Sequence, residues 1–169
     1  GRRKIHQEDF AQILEKKDKY NGSVEEIGRK LKEVSEVPGL DVQLFFERVV
    51  FNFLIGNGDA HMKNYSVIYT EDGLVRLAPA YDLVCSRIVL PNETDESALT
   101  IQGRKSNIRR KEIDLLAEYL GIPEKIRFTK FTGQKKMFRS RLAESLLPKD
   151  LAQSFDKLLI ERFGRLELE

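Results

Sequence analysis

The chain has 169 residues, 41% of them hydrophobic and 33% charged, a balance that allows a core of its own and excludes the composition of disordered chains. Lysine and arginine outnumber aspartate and glutamate only 29 to 27, so net charge points to no polyanionic partner. No apolar run approaches the ~18 residues that cross a bilayer, the start GRRKIHQEDF lacks a signal-peptide core, and the single cysteine, Cys85, excludes an internal disulfide and suits a reducing cytoplasm.

Gly1 and Leu168-Glu169 resemble cloning remnants, so one domain is expected over 2–167. From Gln7 to Leu14, Phe10, Ile13 and Leu14 stand at helical spacing and predict a short helix before the solvated run EKKDKYNG. Ser23 and Glu26 form a capping box, and Val24, Ile27, Leu31 and Val34 continue an amphipathic helix up to Pro38-Gly39. Asp41 to Ile55 is apolar almost all round, the pattern of a buried central helix, and Gly56 and Gly58 end it. YSVIY, TEDG and LVRLA then read as a β-hairpin with Asp72-Gly73 in the turn.

RIVLPNETDES reads as a polar loop, LTI as a strand and QGRKSN as a turn. Three helices follow: one through Ile113 and Leu116 to Gly121, one from Arg127 to Leu146, and one starting near Pro148 and carrying Leu151, Phe155, Leu159 and Phe163. The expected fold is mainly α with one β-hairpin, an α+β domain.

Phosphoryl transfer needs a carboxylate to orient and deprotonate the attacking hydroxyl, and oxygen ligands to hold Mg²⁺ against the phosphates. Asp59, Asn64 and Asp82 can supply these groups. Asp59 and Asn64 are five residues apart, the separation of Asp and Asn in a kinase catalytic loop. If paired residue numbers in the hairpin sum to about 143, Asn64 lies opposite Pro79 and Asp82 emerges just beyond it. Asp and Asn beside glycine are also common turn formers. It is the returning hairpin that makes these three a candidate site.

The segments NGDAHMKN and APAYDLV, at this distance, resemble the catalytic loop and metal-binding segment of HipA-type serine/threonine kinases. RRKIHQEDFAQ resembles the start of that family's C-terminal region, and LTIQGRKSNIRRKEIDLLAEYLG and ERFGRL extend the likeness over nearly the whole chain. The resemblance implies the helical C-terminal lobe of a two-lobed kinase that moves the γ-phosphate of ATP to protein serine. It implies Asp59 as catalytic base, Asn64 and Asp82 as Mg²⁺ ligands, and His61, Lys63 and Tyr81 on the nucleotide side. It further implies a toxin-antitoxin setting, with a helix-turn-helix antitoxin of the HipB type, DNA reached only through that antitoxin, and a cytoplasmic protein substrate such as an aminoacyl-tRNA synthetase.

Departures from the pattern are equally plain. The glycines form no phosphate-covering G-x-G-x-x-G, no early strand carries a phosphate-gripping lysine, and Ala60 stands where the family has a second Asp. The chain by itself is therefore expected to fold, bind Mg-ATP weakly and transfer no phosphate. A small-molecule phosphotransferase and a non-catalytic antitoxin- or DNA-binding module are the competing functions. Arg104, Lys105, Arg109, Arg110 and Lys111 form the densest basic cluster, expected as a solvated helix start, and two histidines with one cysteine argue against zinc.

Overall fold

The computed structural model describes residues 4–169. Gly1, and Arg2-Arg3 of the family-like start, lie outside the described residues. The chain runs β1 (His6–Asp9), α1 (Phe10–Ile13), α2 (Val24–Val34), α3 (Pro38–Ile55), β2 (Ser66–Tyr69), β3 (Val75–Leu77), α4 (Ser86–Val89), α5 (Arg110–Leu120), α6 (Lys135–Ala143) and α7 (Lys149–Arg165). Single 3₁₀ turns occupy Met62–Asn64 and Glu124–Ile126. Helices thus dominate a small antiparallel sheet, the α+β class expected, and no helix among the described residues is long and apolar enough to cross a membrane.

The central helix α3 buries Phe45, Phe46, Val49, Val50, Phe53 and Leu54 and packs on α2, α5, α7 and β3. Its apolar residues circle the helix because it has neighbours on several sides. The helix α2 starts at the expected capping box: Ser23 Oγ accepts from Glu26 N at 3.1 Å, and Glu26 Oε2 accepts from Ser23 N at 3.3 Å. Pro38 does not stop α2, which ends at Val34; it opens α3 at a first-turn position, where its missing N–H leaves no bond unmade.

The hairpin forms as expected, with Val67 opposite Leu77 and Tyr69 opposite Val75. The expected helix from Gln7 to Leu14 is only its second half. His6–Asp9 is instead a strand, paired antiparallel with β2 from His6 opposite Tyr69 to Asp9 opposite Ser66, so the sheet has order β1-β2-β3. Asp9 then caps α1, accepting from Gln12 N at 2.9 Å. An apolar face of three residues cannot outweigh backbone bonding to a strand already formed at its side.

Further on, LTI is reduced to isolated bridges, Ser23 with Thr100 and Ile101 with Arg104, while the loop before it contains the short α4. The long helix expected from Arg127 to Leu146 is broken: Gly133 takes φ 72°, and only Lys135–Ala143 is helical. Leu168, set aside as a remnant, is 1% exposed and joins the core, with its carbonyl accepting from Gly133 N at 3.2 Å. The basic cluster is partly structural, since Arg110 lies 3.9 Å from the centroid of the Phe128 ring and pairs with Asp114 at 2.9 Å.

Gly56 joins the core to the candidate site. It ends α3 in the left-handed region at φ 71°, and a Cβ there would lie 2.4 Å from Leu158 Cδ2 and 3.2 Å from Arg87 Cβ. Gly56→Ala should therefore cost about 2–3 kcal/mol through backbone strain and overpacking combined. A thermal melt of the variant should fall by several degrees, and an unchanged melt would show that the loop adjusts freely.

Candidate active site

Past Gly56 the chain makes a tight loop whose side chains turn in different directions. Asn57 is buried at 3% exposure and donates through Nδ2 to Asn52 Oδ1 and to the carbonyl of Asp82, both at 3.1 Å. Gly58 N donates to Ser86 Oγ at 2.9 Å, which ties the loop to the start of α4. Asp59 follows with its side chain exposed, and its Oδ1 accepts from the Tyr20 hydroxyl at 2.9 Å. The carboxylate is thus fixed at one oxygen and open at the other.

Beyond Asp59 the loop folds back. His61 N donates to Asp59 O at 2.8 Å and to Asn64 Oδ1 at 2.9 Å, so the Asn64 amide is held from within the loop. Asn64 Nδ2 donates to Asp82 Oδ2 at 2.6 Å. Hairpin pairs sum to 144, one residue from the register expected, as in Val67 with Leu77. Arg48, buried in α3, steadies the returning strand by donating to Ala78 O at 2.7 Å. Asp82 takes a left-handed backbone, φ 54°, a conformation Asp tolerates better than most residues.

Of the residues expected on the nucleotide side, Lys63 is exposed and has no ion pair among the described residues, so its ammonium is open to an anion. Tyr81 is half-buried; its hydroxyl meets that of Ser66 and donates to Lys63 O at 2.6 Å, so it braces the loop against the sheet. Burial raises its pKa. His61 is 7% exposed, not a solvated loop histidine, with its ring edge-on to Tyr20 at 5.3 Å. Burial and the Lys19 charge lower its pKa against the pull of Asp59 and Asp82, and its Nδ1 is buried without a partner. Cys85 is half-buried with its thiol pKa pushed up by burial, which suits packing and not a nucleophile.

Three contributors escaped sequence reasoning. Tyr20 sits in a run read as solvated loop, Asn57 opens the NGDAHMKN segment without a role of its own, and Ser86 stands just before the segment read as polar loop. An aromatic inside an otherwise charged run was the one signal that could have drawn attention to Tyr20. The donor set of Asp82 and Asn64 fits a hard divalent cation, which takes carboxylate and amide oxygens and completes its shell from phosphates and water. Asn64 Oδ1 has a second lone pair free beside its bond to His61 N.

A small sheet laid on a helical body, with the Asp59 loop at their junction, is the fold of a helical kinase-like lobe. It superimposes on the proinflammatory kinase CtkA of Helicobacter pylori with a TM-score of 0.60 at 15% identity, over 96% of this chain and 66% of that one. On HipA from the Shewanella oneidensis MR-1 complex of HipA, HipB and operator DNA, the TM-score is 0.80 at 23% identity, over 98% of this chain and 45% of that one. The chain belongs to the HipA-like C-terminal domain family, whose profile matches residues 1–149. Among curated relatives, the candidate kinase Y4dM of Sinorhizobium fredii is 38% identical over 72% of this chain and 30% of its own length. The candidate kinase Y4mE of the same organism is 34% identical over 66% of this chain and 27% of its own length. The chain thus spans about a third or less of the curated relatives it matches.

Proposed function

We propose that this chain is the catalytic, metal-binding lobe of a protein serine/threonine kinase of the toxin type, acting in the cytoplasm with ATP and Mg²⁺. The observation that carries the proposal is the Asn64–Asp82 contact at 2.6 Å, five residues along the loop from an open carboxylate, Asp59. Asp82 and Asn64 would hold Mg²⁺, which would neutralise charge on the transferring phosphate. Asp59 accepts the proton of the attacking hydroxyl as its oxygen bonds to the γ-phosphorus and ADP leaves. Lys63 lies close enough along the chain to Asn64 to meet a phosphate oxygen, and Tyr81 and His61 shape the nucleotide side.

Names of relatives support kinase chemistry, and the HipA complex with HipB and operator DNA supports a HipB-type antitoxin, with DNA contacted through it. An aminoacyl-tRNA synthetase as substrate rests on family resemblance. The test is a thermal shift with and without Mg-ATP on the protein expressed from its native gene. Asn is the right replacement for Asp82, because it tolerates the left-handed backbone and can still pair with Asn64. Asp82→Asn should melt close to wild type without ligand and lose most of the Mg-ATP stabilisation; Asn64→Ala should lose less, since the cation prefers the charged oxygen. Full Mg-ATP stabilisation of Asp82→Asn would end the metal-site reading.

A further inference from the structure

Asn57 takes no part in the proposed transfer, yet it is 3% exposed and its amide nitrogen serves two acceptors, Asn52 Oδ1 and the carbonyl of Asp82, each at 3.1 Å. Asn52, also buried, passes the chain on by donating through Nδ2 to the Tyr65 hydroxyl at 3.2 Å. Tyr65 directly follows Asn64. A buried polar chain thus runs from the main chain of one proposed metal ligand to the neighbour of the other. Resting on the metal-site reading above, we infer that Asn57 is a positioning residue of that site: by fixing the Asp82 main chain it sets how tightly Asp82 and Asn64 hold Mg²⁺.

The Asp82 segment needs such a hold. From Ala80 to Cys85 no backbone N–H reaches a backbone carbonyl among the described residues, so neither strand nor helix fixes this stretch. Asp82 also sits at φ 54°, a conformation that an L-residue leaves unless its surroundings impose it. Among the described residues two side chains bond to it: Asn64 Nδ2 donates to the carboxylate at 2.6 Å, and Asn57 Nδ2 to the carbonyl. The first bond engages a carboxylate oxygen, the group a hard cation takes as ligand. The second lies on the main chain and is untouched when the carboxylate turns to a metal.

The direction of the Asn57 amide is forced. Turned over, it would set its own oxygen against Asn52 Oδ1 and the Asp82 carbonyl, acceptors facing an acceptor. Asn57 N donates to Asn52 O at 2.8 Å and Gly58 N to Ser86 Oγ at 2.9 Å, so the loop backbone is anchored at the amide and just past it. The Asn64 end has independent support, because Tyr65 O accepts from Phe10 N at 2.9 Å and the Tyr65 ring meets Phe45 edge-on at 5.2 Å. Loss of Asn52 leaves these contacts in place. Loss of Asn57 leaves the Asp82 main chain without a hydrogen bond among the described residues.

The experiment uses the protein expressed from its native gene and compares wild type, Asn57→Ala and Asn52→Ala in two measurements. One is the Mg²⁺ concentration that gives half of the ATP-dependent rise in melting temperature; the other, without ligand, is the rate of chymotrypsin cleavage at Tyr81 and at Leu83, which is 40% exposed. Each variant removes one member of the buried network, and both should lower the melting temperature of the ligand-free protein. Only Asn57→Ala should raise the Mg²⁺ requirement, by about tenfold, as losing an outer-shell partner of a metal ligand does, and Asn52→Ala should stay within about twofold of wild type. Cleavage should quicken several-fold in Asn57→Ala alone. Asn57→Ser, whose single O–H cannot serve two acceptors, takes the place of Asn57→Ala if that variant does not fold. A wild-type Mg²⁺ requirement in the Asn57 variant, or equal changes in the Asn57 and Asn52 variants, overturns the inference while leaving the metal site standing. A wild type that itself shows no Mg²⁺-dependent shift brings down the metal-site reading, and this inference with it.

Discussion

Asp59→Asn, in the protein expressed from its native gene, is expected to lower phosphate transfer by about 10²–10⁴-fold while leaving fold and nucleotide binding in place. The amide removes the carboxylate proposed to take the proton but keeps an oxygen for the Tyr20 hydroxyl, which donates to Asp59 Oδ1 at 2.9 Å. The backbone bond from His61 N to Asp59 O, 2.8 Å, does not depend on the side chain, so the loop should survive the change. Single-turnover transfer measured beside a Mg-ATP thermal shift separates the two effects. A variant within a few-fold of wild type would remove Asp59 from the mechanism; one that also loses the shift would mean the carboxylate acts on the nucleotide.

The largest effect on stability is expected at Asp41, 1% exposed near the start of α3. Its carboxylate accepts from Ser35 Oγ at 2.7 Å, from Leu77 N at 2.8 Å and from Arg76 Nη2 at 3.0 Å, and so pins α3 to the hairpin strand that leads to Asp82. Asp41→Ala strands these donors and should cost about 3–4 kcal/mol, the lower part of the range for a broken buried pair because Arg76 keeps some contact with water. For a chain of this size the melting temperature should drop by on the order of 10 °C. Mg-ATP stabilisation should weaken as well, since the strand arm leads to Asp82, one of the two proposed metal ligands.

The pH dependence has a definite sign. Burial alone would raise the pKa of Asp41, but hydrogen bonds from Arg76, Ser35 and Leu77 and the Arg76 charge outweigh it and hold the carboxyl below its usual value. A depressed folded-state pKa gives stability that is fully present above the unfolded value of about 3.9 and lost as pH falls through the folded one. The gap in melting temperature between wild type and Asp41→Ala should therefore be flat through neutral pH and narrow only below about pH 4. A gap that closes near neutral pH would contradict this account.

Several elements were legible because their signals are local. The capping box at Ser23 and Glu26, the all-round apolar pattern of α3, the Asp72-Gly73 turn and the glycine at 121 each act within a few residues. The approach of Asn64 to Asp82 was also legible, since hairpin register follows from the turn and carries both residues to the same end of the ribbon. The strand at His6–Asp9 was not, because its pairing partners lie some 60 residues away at Ser66–Tyr69 and its own spacing resembles a helix. The break at Gly133 was hidden in the same way: helical spacing continues across it, while Leu168, far along the chain, takes the Gly133 N–H.

By itself the sequence determined the helix-loop-hairpin order, the five-residue separation of Asp59 and Asn64, and the return of Asp82 to them, because capping, turn chemistry and hydrophobic period operate over short stretches of chain. Only the tertiary structure decided what surrounds Asp59. Tyr20 arrives from 39 residues upstream to hold one carboxylate oxygen, Ser86 comes from beyond the hairpin to take Gly58 N, and Glu93, Asp95 and Lys105 close an adjacent cleft from a segment without regular structure. No periodicity links these residues. Their meeting depends on how α3, α2 and the sheet pack, and that packing is settled by apolar burial throughout the domain.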